Sequence, residues 1–195
     1  MSQAYSLKET NKPTLFSWDL ETEHSNVEKK VLDSRNSTRR DLDKELSTLK
    51  ELATDYLQII QTKSISPEQL ARLEEAIVNG PSGIWEQATT KLERLSYHFN
   101  EAKEKIYDLI ERGNSKTVDR ALTMLGASFT EDEQVKILNK ALSSKSSKVR
   151  NRAAAVAYFL RNKQLIPVLL EKKSVETNTA VSEAIGLALE QINQC

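Results

Sequence analysis

The chain has a single cysteine, Cys195, at its last position, which leaves no partner for an internal disulfide and no pair of thiolates for a metal site. Glycine and proline are scarce, five and four in 195 residues. An all-β chain needs a turn every ~8 to 12 residues, each drawing on Gly, Pro, Asn or Asp, and most of this chain has no such punctuation; the expected class is all-α. No stretch approaches the ~20 apolar residues of a membrane-crossing helix. The opening from Met1 to Glu9 also lacks the apolar core of a signal peptide, so the expected setting is cytoplasmic, with no membrane partner. Chemistry is missing as well: there is no Gly-rich phosphate loop, no Gly-x-Ser-x-Gly elbow and no His-Glu-x-x-His. The histidines, His24 and His98, have no His or Cys at ligand spacing. The expectation is no enzyme, no metal, no cofactor and no small-molecule substrate.

What is present is charge, unevenly spread. Lys and Arg together equal Asp and Glu at 28 each. The net charge nevertheless runs from −1 over residues 1–38 and −3 over 39–112 to +7 over 113–173 and −3 over 174–195. Between Gln134 and Leu170 lie Lys136, Lys140, Lys145, Lys148, Arg150, Arg152, Arg161 and Lys163, with no Asp or Glu among them. Lys136 and Lys140, four apart, share one side of a helix, and Lys148 and Arg152 repeat the spacing. Stacked helices would merge these cations into one positive strip, the candidate partner-binding surface.

Residues 1–38 lack a helical period and carry a proline at Pro13, which predicts an extended or loosely tethered arm. Within it Phe16, Trp18 and Leu20 alternate with polar residues, so that three large apolar groups share one side of an extended strand. They can dock on their own chain or enter a partner's groove. The rest, 39–195, is expected to be one helical-repeat domain. Leu42, Leu46, Leu49, Ala53, Tyr56 and Ile60 are spaced four, three, four, three and four apart, a helix seam. Ser66-Pro67-Glu68-Gln69 is a capping box with proline at the first helical position, and Asn79-Gly80-Pro81 ends the helix it starts. Further helices are expected from about Ile84 to Leu95 and from Glu101 to Arg112, and Thr130 with Glu133 forms a second capping box.

Self-comparison finds a repeat. Ser115, Val118 and Leu122 recur, by type and at a fixed interval of 31, as Ser146, Val149 and Ala153. The same interval carries Val135, Ile137 and Leu138 to Ile166, Val168 and Leu169. A helix pair this short cannot bury its apolar face alone, so successive pairs must stack. The stretch from Val149-Arg150 through Ala153 to Ala157, followed by Leu165-Ile166-Pro167-Val168-Leu169-Leu170, resembles the HEAT-like repeat. The match is full over 146–173, partial over 115–143 and 176–192, and weak before 113. It departs from the family at Ser143–Ser147, where the usual turn aspartate is absent, which leaves the family's Asp and Arg ladder without its acidic member there.

The resemblance implies a short α-solenoid of antiparallel helix pairs, a scaffold that mostly binds proteins and sometimes nucleic acid. It implies no activity. Two functions follow. One is a non-enzymatic protein-binding module, an adaptor, chaperone or inhibitor of the immunity type, that meets an acidic partner surface with the basic strip and the Phe16–Leu20 arm. The other is a nucleic-acid-binding protein whose strip tracks phosphates, as a group of HEAT-like DNA glycosylases does. The contact residues expected are Lys136, Lys140, Lys148, Arg150, Arg152, Arg161 and Lys163, with Phe16, Trp18 and Leu20 from the arm.

Overall fold

The computed structural model describes residues 42–194, in which every regular element is a helix. The arm residues Phe16, Trp18 and Leu20 lie outside the described residues. Two compact units divide the chain after Ala102, and each is taken by itself.

In the first unit, α1 spans Leu42–Thr62, α2 Pro67–Asn79 and α3 Ile84–Ser96. Of the seam read from spacing, Leu49, Ala53, Tyr56 and Ile60 are in the core, joined by Leu52 and Ile59, while Leu46 is half-buried. Helix α2 starts where the capping box predicts, with the Ser66 hydroxyl accepting from Gln69 N–H and the Gln69 carboxamide accepting from Ser66 N–H at 2.9 Å. It stops at Gly80, where a Cβ would run into the Ala76 carbonyl oxygen and come within 2.9 Å of Ile84. Arg72 crosses from α2 to α1 and grips Asp55 with two hydrogen bonds of 2.6 and 2.8 Å.

Helix α4 (Asn100–Arg112) runs into the second unit, where α5 (Ser115–Ala121), α6 (Glu131–Leu142), α7 (Ser147–Leu160), α8 (Ile166–Val175) and α9 (Thr179–Asn193) follow, with short 3-10 turns at Leu122–Met124 and Lys163–Leu165. Helix α7 packs on α5, α6 and α9, and α8 packs on α9. Three of these helices begin alike. Asn114, Ser146 and Asn178 are N-caps, each accepting from the N–H three residues on, that of Thr117, Val149 or Val181. Side-chain capping of this kind satisfies donors that the first turn leaves free, worth ~1 kcal/mol each.

The caps at 114, 146 and 178 are evenly spaced, and burial keeps the same count. Ala121, Ala153 and Ile185 are seven residues past their caps and fully buried; Leu125, Ala157 and Leu189 are eleven past and buried too. The interval of 31 expected for these helices is therefore corrected to 32. The shorter offset matches Val118 to Val149 by residue type, yet Val118 is half-buried and its neighbour Thr117 occupies the buried place. Between α6 and α8 the interval of 31 does hold, since Leu138 and Leu169 are both buried core residues. The turn after α7 is thus one residue shorter than the connection after α5, and it opens on Arg161, which adopts a left-handed conformation with φ of 54°.

Polar side chains tie the turns together. Glu133 accepts from Thr130 N–H at 2.7 Å as the predicted capping box requires, and the same carboxylate takes Lys103 Nζ at 2.7 Å. Lys103 lies over the Phe129 ring at 5.2 Å, and Tyr107 meets that ring edge-on. Burial pushes the Tyr107 hydroxyl up to about 12, helped by its hydrogen bond to Glu133. Burial also raises Glu133, but Lys103, the Thr130 N–H and Tyr107 outweigh it and hold the carboxyl below its ordinary value. Buried Asn162 donates to the Glu131 carbonyl at 3.0 Å and to Gln134 Oε1 at 3.2 Å, joining the turn after α7 to the start of α6.

Candidate functional site

The predicted cations occupy α6, α7 and the turn that follows, and the structure gives most of them internal partners. Lys140, on α6, is paired with Glu111 of α4. Lys148 and Arg152, one turn apart on α7, converge on the same carboxylate, Asp119 of α5, each at 3.1 Å. Asp119 is 7% exposed while its two cations keep their outer ends in water. Arg150 points the other way along the chain, to Glu176 in the turn before α9, with hydrogen bonds of 2.6 and 2.9 Å, and also donates to the carbonyls of Ser144 and Lys145. The Arg150 guanidinium beside it, with the N–H groups of Asn178 and Thr177, holds the Glu176 carboxyl down to about 2 against the cost of its burial. Arg161 reaches α9: with the Gln191 amide turned to match its neighbours, its oxygen accepts from Arg161 Nε and Nη2 at 3.1 Å and its nitrogen donates to the Tyr158 hydroxyl at 3.2 Å.

Lys136 on α6 and Lys163 after α7 are exposed. Of the seven cations named from sequence, these two alone have no ion pair or side-chain hydrogen bond among the described residues. The unbroken basic run of the sequence is thus an interleaved arrangement in space. Its counter-ions Glu111, Asp119 and Glu176 all come from outside residues 134–170. Sequence reasoning missed them because it counted charge along the chain. The signal was present in the repeat: Asp119 precedes Arg152 by 33 residues, one repeat plus one. The turn at Ser143–Ser147 lacks an aspartate, yet a ladder of carboxylate and arginine forms with Asp119 and Glu176 as its acidic members.

A second surface feature carries no sequence signal of its own. Phe159, Leu170, Val175 and Leu187 are 78%, 55%, 71% and 56% exposed. All four belong to α7, α8 and α9. Beside Leu187 an open groove is lined by Lys173, Ser182, Glu183, Gly186 and Glu190. In the first unit another groove lies among α1, α2 and the start of α3, lined by Leu52, Ala76 and Ile84 and by the charged Lys44, Glu45, Glu51, Arg72 and Glu75. Among the described residues no group of three or more His, Cys, Asp or Glu is placed to hold a metal ion. His98 is exposed. No described helix is long and apolar enough to cross a membrane.

No protein-family model matches the chain, and no curated protein matches it. Among solved structures, one described as an engineered protein of the Northeast Structural Genomics Consortium is 17% identical, with a TM-score of 0.41, over 92% of this chain and 94% of that one.

Proposed function

We propose that this chain is a short α-solenoid of HEAT-like repeats whose work is to bind another protein, as an adaptor, chaperone or inhibitor. The observation that carries the reading is the recurrence, at 114, 146 and 178, of an Asn or Ser cap followed by the same buried positions in α5, α7 and α9, each of these helices packed on the next. Repetition of one two-helix unit with contacts to its neighbours is what a solenoid requires. Phe159, Leu170, Val175 and Leu187 of α7 to α9 hold large apolar side chains in water, where a protein partner could cover them.

The internal pairing of Lys140, Lys148, Arg150 and Arg152 weighs against the nucleic-acid reading, because a cation already neutralised by a carboxylate releases little counterion on meeting a phosphate. Lys136 and Lys163 remain available to an acidic partner. Affinity capture with mass spectrometry, run with and without nuclease, tests the proposal. A partner protein retained after nuclease treatment is expected. Recovery of nucleic acid alone, together with a gel shift that Lys136→Glu/Lys163→Glu abolishes, would overturn it in favour of phosphate binding.

A further inference from the structure

Counting from the caps Asn114, Ser146 and Asn178, the fifth residue of each helix is Asp119, Asn151 and Glu183. On α5 that position holds the next helix, for Asp119 receives Lys148 and Arg152 of α7. The twelfth residue is used likewise on α7, where Tyr158 meets Gln191 of α9. On α9 the same two places are Glu183 and Glu190, both exposed, and neither has an ion pair or side-chain hydrogen bond among the described residues. Between them, four residues after Glu183 and three before Glu190, stands Leu187 with more than half its surface in water. Glu183, Leu187 and Glu190 therefore form one stripe along the edge of α9. Gly186 beside it presents no side chain, and the amine of Lys173 lies across it on a flexible tether. The charged side chains lining this groove are Glu183, Glu190 and Lys173, two acids to one base.

We propose that this edge of α9 is a socket for one helix of a partner protein, a helix with an apolar stripe flanked by Lys or Arg, and that Glu183 receives its cation as Asp119 receives Arg152. The proposal rests on the protein-binding reading and names its site and partner chemistry. Two carboxylates two helical turns apart around a leucine call for two cations around an apolar or small side chain. A second copy of α9 would bring Glu183 and Glu190 against carboxylates of its own kind, a like-charge contact that disfavours it.

The molecule contains its own probe. A stapled helical peptide copying Ser146–Arg161, the segment that already seats Lys148 and Arg152 on Asp119, is titrated against the full chain by fluorescence anisotropy. Saturable binding is expected, weakened about tenfold or more by Leu187→Lys or Glu183→Lys in the protein, or by Arg152→Glu in the peptide. Glu183→Arg paired with the Arg152→Glu peptide should restore it. Leu187 and Glu183 are exposed, so these variants keep the fold, checked by circular dichroism. Absence of binding, or binding indifferent to both protein variants, overturns the proposal. So does a dimer, seen by sedimentation, that Leu187→Lys dissolves, since the occupant is then a second copy. A captured partner whose retention ignores Leu187→Lys removes the socket and leaves the wider protein-binding reading standing.

Discussion

Arg150 and Glu176, 26 residues apart in sequence, meet through two parallel hydrogen bonds of 2.6 and 2.9 Å with both side chains largely shielded from water. Removing the carboxylate strands a guanidinium whose other bonds go to the Ser144 and Lys145 carbonyls. Glu176→Ala is expected to cost about 2–4 kcal/mol in urea unfolding, because breaking a shielded pair leaves one charge uncompensated.

The same pair sets a pH dependence. The Glu176 carboxyl sits at about 2 in the fold, below its ordinary value of 4.5, so its stabilisation is complete above the unfolded value and is lost as pH falls through the folded one. Stability should decline between pH ~4.5 and ~2, and Glu176→Gln should flatten that part of the profile. An equal slope in the variant would assign the acid loss to other carboxylates.

Asp119 predicts a smaller effect from a busier site. It holds two cations, but Arg152 and Lys148 are 38% and 71% exposed and return to water when it is removed. Asp119→Ala should cost only about 1–2 kcal/mol, and Lys148→Ala about nothing in stability. A cost for Asp119→Ala as large as that for Glu176→Ala would mean that α7 depends on this carboxylate for its seat.

Ala153 is fully buried where α7 meets its neighbours. Ala153→Leu should overpack that contact and cost about 1–3 kcal/mol, read as a lower Tm. Unchanged thermal stability would refute the buried face assigned to α7.

Gly113 separates α4 from α5. A Cβ there would press on the Leu109 carbonyl oxygen and lie 2.8 Å from Thr117 Cγ2. Gly113→Ala should destabilise by about 1–3 kcal/mol, whereas Ser144→Ala, in the turn before α7, loses only the 3.3 Å bond that its hydroxyl accepts from Ser146 N–H and should cost about 1 kcal/mol or less.

The helices and both capping boxes could be read from sequence because they depend on neighbours within one turn. Ser66 with Gln69 and Thr130 with Glu133 are three residues apart, and each pair forms as expected. The seam from Leu49 to Ile60 was equally legible, since helical periodicity is a local property. The repeat was visible but one residue short: matching Val118 with Val149 by type could not reveal that Thr117 takes the buried place, nor that Arg161 closes α7 in a left-handed turn.

Charge behaved differently. The positive strip was drawn from a run of residues without acids, and what surrounds a side chain is not decided by its neighbours in the chain. Glu111, Asp119 and Glu176 reach into that run from distant parts of the sequence and pair with Lys140, Lys148, Arg150 and Arg152, Asp119 taking two of the four. Local sequence determined where each helix starts and stops and which side of it is apolar, because hydrogen bonds to caps and periodic burial act over a few residues. Only the packing of one helix on another decided which charges meet a partner within the chain and which, with Leu187, face water without one among the described residues, as Glu183 does.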